Sequence, residues 1–164
     1  MNNQSEITKE RHEVLRKVYD LISSDPAKIQ EIFDFNKTEH ADLDLSWMDP
    51  RFQEKEFGPE NEYQIVIATV QPGQKSKAHF HEVGASSFVV LGPKMSFPEP
   101  KDLVYIYGKL NQEVKCYEGL ELDIPSNTTH QFVNKHAESA NVLIVTHPII
   151  SVRENKEDIH YANH

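Results

Sequence analysis

Three histidines carry the clearest chemical signal in this chain. In the segment PGQKSKAHFHEVGASSFVVLG, His79 and His81 stand two residues apart at the head of a β-rich run. Side chains at i and i+2 of a strand leave from the same face, so both imidazoles can enter one cavity. A second segment, GLELDIPSNTTHQFVN, passes from a glycine turn through a strand and a proline turn to His130, with Asn134 four residues further on. If the strands curl into a barrel, the strand of His130 lies beside the first and delivers a third imidazole to the same interior point. A lone pair of histidines on a strand is more often surface or packing material than a ligand set. With that third imidazole, His79, His81 and His130 are the candidate metal ligands. Neutral imidazoles suit Fe(II), Zn(II), Ni(II), Cu(II) or Mn(II).

The elements that must position these residues follow from periodicity. From Glu6 to Ser23 the apolar residues Ile7, Val14, Leu15, Val18, Leu21 and Ile22 recur at helical spacing, which predicts an amphipathic helix. Ser24-Asp25-Pro26 reads as the capped start of a second, short helix with Ile29, Ile32 and Phe33 on its apolar stripe. Residues 36–58 are polar and broken by Pro50, and read as a connector with one strand at Ala41–Trp47, covering an end of the barrel. The period then becomes two. Short runs at Tyr63–Val70, Ser87–Leu91, Leu103–Tyr107, Glu113–Tyr117, Leu120–Ile124 and Val142–Thr146 predict strands separated by turn residues, the pattern of a barrel or sandwich. Gly92–Asp102 holds three prolines and is expected to be a long loop. The organisation is therefore one domain: helices and connector over 1–58, a barrel over 59–150, and a charged tail over 151–164 that is expected to fray or to depend on a partner.

These two histidine segments resemble the paired motifs of the cupin superfamily, approximately G-x5-H-x-H-x3,4-E-x6-G and G-x5-P-x-G-x2-H-x3-N. Gly73, His79 and His81 match the first, with Gly92 closing it one position early, and Gly119, Pro125, His130 and Asn134 match the second. The resemblance spans about residues 60–148 and implies a mainly β fold, a double-stranded β-helix or jelly-roll barrel, here with two N-terminal helices and the metal inside. Two departures matter. Asn127 stands where the family has glycine, and asparagine is the non-glycine residue that best tolerates a left-handed turn. Ser86, between Ala85 and Ser87, stands where the family has the glutamate ligand, so the carboxylate is missing. Glu82 and Gln131 adjoin the histidines but should face outward on regular strands. Ser86 is the candidate catalytic residue, placed to hydrogen-bond a metal-bound water or substrate; the plainer reading is that it fills space at the barrel wall.

Three neutral ligands leave a more positive metal with open positions, suited to an anionic substrate. Cupin-type dioxygenases acting on thiols, gentisate-like aromatics or diketones use three-histidine iron sites. The resemblance therefore implies a small-molecule dioxygenase holding Fe(II), with Zn, Ni or Mn as other occupants. The alternatives are a non-catalytic ligand-binding or regulatory barrel, and a metal-dependent isomerase, decarboxylase or hydrolase using a carboxylate or tyrosine for proton transfer. The remaining histidines, His12, His40, His136, His147, His160 and His164, read as solvated or packed. Tyr63, Phe88, Tyr105, Tyr107 and Phe132 should build cavity wall or core. A formal charge of -9 and a pI near 5.4 argue against nucleic-acid or anionic-membrane surfaces. The single cysteine, Cys116, excludes an internal disulfide and reads as structural. With no signal-like or spanning apolar run, the expected location is the cytoplasm, and the expected assembly is a homodimer.

Overall fold

The computed structural model describes residues 4–59, 62–147 and 158–162. The amphipathic N-terminal pattern forms helix α1 (Gln4–Ser24), followed by the short α2 (Ala27–Ile32). Pro26 sits at the N-cap of α2 without a side-chain cap, and Phe33 opens the next strand instead of closing the helical stripe.

The expected connector is largely ordered. It contains β1 (Phe33–His40), β2 (Leu43–Met48) and α3 (Pro50–Phe57). β1 escaped detection because it is an edge strand, buried only at Phe33 and His40, with its register interrupted between Asp34 and Thr38. It therefore lacks the alternation that a half-buried strand shows. Ala41 and Asp42 both take positive φ in the tight β1–β2 turn, without the Asn-Gly or Asp-Gly signature of such hairpins. Pro50, read as a break, occupies the first turn of α3, where its fixed φ suits a helix. The Asp49 side chain caps that turn by accepting from the amides of Arg51 and Phe52.

Two antiparallel sheets make the barrel. The first runs β1-β2-β3-β10-β5-β8, with β3 at Gln64–Val70, β5 at Ala85–Val90, β8 at Glu121–Ile124 and β10 at Ala140–His147. The second runs β11-β4-β9-β6-β7, with β4 at His79–Phe80, β6 at Leu103–Tyr107, β7 at Gln112–Lys115, β9 at His130–Asn134 and β11 at His160–Tyr161. Hence β1 and β2 extend the first sheet ahead of the expected barrel start at residue 59. The proline-rich loop after β5 holds one 3-10 turn, Pro93–Met95.

The central strands of the first sheet are apolar on both faces. Val66, Ala68, Phe88, Val90 and Val142 face the barrel interior, while Ile65, Ile67, Val89, Leu143 and Val145 face outward and are covered by Leu15, Val18 and Ile22 of α1. That packing accounts for the apolar stripe of the N-terminal helix. It is fastened by Arg11, which is buried and donates to the Ser87 hydroxyl at 2.8 Å, and by His12, which bridges Glu121 and Asp123. None of the described helices is long and apolar enough to cross a membrane.

Described tail residues 158–162 are held against the barrel. β11 pairs with β4, and the amide of Ala162 donates to the carbonyl of Ala78. Residues 153–157, and with them most of the charged run, lie outside the described residues, as does His164. Cys116 lies just past β7, its amide bonded to the carbonyl of Leu103; burial pushes its thiol up to about 12, which fits a structural role.

Candidate metal centre

Register gathers the rings of the three histidines expected as ligands into one cluster. β4 and β9 pair with His79 opposite His130, so the two side chains share a face and their ring centroids lie 4.3 Å apart. His81 follows on the same face, 5.0 Å from His79 and 5.3 Å from His130. A fourth histidine joins them. His40 ends β1, and the amide of Lys77 donates to the carbonyl of Ala41, pinning the β1–β2 turn beside the approach to β4. The His40 ring lies 5.5 Å from His79 and 6.1 Å from His81. The ligand atoms of His40, His79 and His81 all fall within 4.8 Å of one another, a group that takes in His40 and not His130. His40, expected to be solvated or packed, is buried and belongs to this cluster. Its strand has no recognisable period, so spacing gave no signal for it.

Backbone carbonyls fix the tautomers. The Nδ1–H of His79 donates to Lys77, that of His130 to Thr128, and that of His81 to Asp158. A carbonyl oxygen only accepts, so each Nδ1 carries the proton and each Nε2 keeps its lone pair for a ligand. All four rings are at least nine-tenths buried. Burial, helped by neighbouring imidazoles, pushes His40 down to about 3 and His79 down to about 4. Burial likewise depresses His81 and His130. The cluster is therefore a set of neutral, deprotonated donors near neutral pH, which is the state a transition metal requires. The Nδ1 atom of His40 is buried without a hydrogen-bond partner among the described residues, which is hard to explain in a purely packed ring. The donor set fits a borderline divalent ion.

The histidines open on a cavity of about 30 Å³, whose wall includes Leu43, Leu45, Val66, Ile124, Phe132 and Ile144 as its apolar part. Its polar remainder is Gln64, Ser86 and Thr146. Ser86 is buried here, its hydroxyl 2.7 Å from that of Thr146. Glu82 is exposed, and the amide group of Gln131 donates to the carbonyl of Ser76, so neither serves as a ligand in this arrangement. Asn134 is structural: its Nδ2 donates to the carbonyls of Val70 and Glu138 and its Oδ1 accepts from the amide of His136. Asn127 takes a φ of 61°, the left-handed turn that glycine serves elsewhere. Phe88, Tyr105 and Phe132 pack edge-on or tilted as a buried aromatic group, of which Phe132 reaches the cavity.

The tail supplies one support that sequence spacing did not reveal. The Asp158 carboxylate accepts from the amides of Glu82, Val83 and Gly84 at 2.9, 2.6 and 2.9 Å, directly after His81. Although burial pushes it upward, these donors hold Asp158 below the usual carboxylate range. His160 stacks on Phe80, and Tyr161 lies edge-on to His79.

No protein-family model matches the chain, and no curated protein sequence matches it. Solved structures do. The polyketide cyclase RemF of Streptomyces resistomycificus aligns over 82% of both chains at 12% identity with a TM-score of 0.57. The plu4264 protein of Photorhabdus luminescens covers 68% of this chain and 79% of its own at 18% identity and a TM-score of 0.52. The fold is that of a cupin. A third match, the capsular polysaccharide assembling protein CapF of Staphylococcus aureus, covers 78% of this chain but 31% of its own, at 13% identity and a TM-score of 0.54. At these identities the likeness concerns the cupin barrel alone, and the chemistry must be argued from the four histidines.

Proposed function

We propose that this cupin binds one divalent transition metal through His79, His81 and His130, with His40 as a fourth imidazole in place of the absent carboxylate, and acts on a small molecule as an Fe(II) dioxygenase. The observation that carries the metal reading is the tautomer arrangement: three Nδ1–H groups spent on backbone carbonyls leave three Nε2 lone pairs in one buried cavity. Neutral imidazole lone pairs converging from several rings are the arrangement that a divalent cation binds.

A bound metal would act as a Lewis acid and, if iron, as a redox centre for dioxygen. The protein supplies orientation of the four rings, exclusion of water by the apolar wall, and one spare O–H of the Ser86 and Thr146 pair toward whatever occupies the cavity. The cavity wall favours the dioxygenase over a proton-transferring isomerase. Among its described residues there is no carboxylate, lysine or tyrosine to act as general acid or base, and the histidines are committed as ligands.

Elemental analysis of the purified and reconstituted protein tests the metal, and oxygen consumption with a panel of thiols, diketones and dihydroxyaromatics under Fe(II) tests the reaction. Uptake of one ion per chain with oxygen consumption on at least one class is expected. A protein that takes up no metal contradicts the site, and full iron occupancy without oxygen uptake across the panel contradicts the dioxygenase.

A further inference from the structure

Opposite the histidines, three polar side chains form a row across adjacent strands. Gln64 on β3 pairs with Thr146 on β10, and Thr146 pairs with Ser86 on β5. Directly opposed residues share a face, so all three side chains enter the cavity together. The row sits in an otherwise apolar stretch of sheet, between Val66, Ile144 and Ile124.

Two features of the row lack a purpose in the fold. Gln64 is 4% exposed, and its Oε1 has no hydrogen-bond partner among the described residues. A buried acceptor left unpaired is unfavourable, and a fold seeking stability alone would place leucine or methionine there. The Ser86 and Thr146 hydroxyls hydrogen-bond each other, which uses one of their two O–H groups. The second remains available to an acceptor in the cavity.

The charge balance sets the rest. Four neutral imidazoles and a wall without charged side chains among the described residues leave a divalent metal uncompensated in a water-poor space, where an anionic ligand is strongly favoured. We propose that Gln64 is a specificity-determining residue that reads a hydrogen-bond donor on a small anionic ligand of the metal, and that the head group recognised is an α-hydroxy acid or a close analogue with O–H or N–H beside the anionic oxygen. The ligand's hydroxyl donates to Gln64 Oε1, and its anionic oxygen accepts the spare O–H of the Ser86 and Thr146 pair. A cavity of about 30 Å³ admits only the few atoms of such a head group, so any remaining part of the molecule points away from the row.

This inference rests on the metal reading, and its test separates the two. The full chain is loaded with Co(II), its metal content is measured, and the visible d–d bands are titrated with glycolate and with acetate, which lacks the hydroxyl. Gln64→Leu keeps the approximate volume and removes the acceptor; Gln64→Met serves if the leucine variant does not fold. A lost hydrogen bond of this kind should weaken glycolate on the order of tenfold and change acetate by less than about threefold, with metal content unchanged. An unchanged glycolate-to-acetate ratio in the variant overturns the role of Gln64, as does wild-type protein that holds Co(II) and binds neither anion. Wild-type protein that takes up no Co(II) overturns the metal reading itself and this inference with it.

Discussion

Replacing Asp158 by alanine should weaken metal binding although residue 158 touches no metal ligand through its side chain. The carboxylate gathers three consecutive amides, those of Glu82, Val83 and Gly84, and the backbone carbonyl of the same residue receives the Nδ1–H of His81. The carboxylate thus anchors the carbonyl that orients the ring of His81, a proposed ligand. Hydrogen bonds to a charged acceptor contribute about 1.5–3 kcal/mol each. The Asp158 side chain is 15% exposed, so water replaces part of what is lost. Loss of an outer hydrogen-bond partner of a ligating histidine typically lowers metal affinity about 10–100-fold, or roughly 1.4–2.7 kcal/mol. The lower half of that range is expected here, because the carbonyl itself survives the substitution. Competition of the metal-loaded protein against a chromophoric chelator gives the affinity, and far-UV circular dichroism reports whether the barrel persists. Asp158→Asn, which keeps one acceptor oxygen, should recover part of the loss. An Asp158→Ala protein that folds and binds metal within twofold of wild type would refute the reasoning.

Three further outcomes follow. His40→Ala should lower metal affinity at least about tenfold, whereas His147→Ala, at the Tyr63 ring and outside the cluster, should leave it unchanged; equal behaviour of the two in the same chelator competition would remove His40 from the ligand set. The metal-free protein should lose stability as pH falls below about 6.5, because the unfolded chain then protonates histidines that the fold holds neutral down to about 4 at His79 and about 3 at His40. The unfolded state binds more protons throughout that window, so the loss approaches about 1.4 kcal/mol per pH unit for each ring; urea midpoints that stay flat between pH 6.5 and 5 would contradict it. Leu15→Ala, which opens a void between α1 and the outer face of the first sheet, should cost about 2–5 kcal/mol in unfolding experiments while leaving metal affinity intact, since that face lies away from the cavity.

Much of this architecture was legible because hydrophobic period and motif spacing report strands with one clear environment. β6 and the core of β3 and β10 are buried and β-branched, and their boundaries emerged within a residue or two. His79, His81 and His130 were legible because strand alternation and antiparallel register fix which face they share. His40 was not, because it sits at the end of a solvent-exposed edge strand whose only buried positions are its termini. Gln64 reads as the polar start of an apolar strand, and Thr146 as its end; only pairing through β10 shows that they meet Ser86. Asp158 contacts residues 74–76 positions earlier, a separation at which local pattern carries no information. The missing glutamate pointed to an emptier site, and the structure sharpens that to a fourth imidazole beside the other three.

X-ray absorption at the metal edge of the reconstituted protein tests the central claim most directly. Imidazole nitrogen at about 2.0–2.2 Å should dominate the nearest shell, with the outer-shell scattering of three to four rings, and His130→Ala should lose part of that scattering. A shell of carboxylate oxygen or sulfur without the imidazole signature, or a spectrum unchanged by His130→Ala, would contradict it.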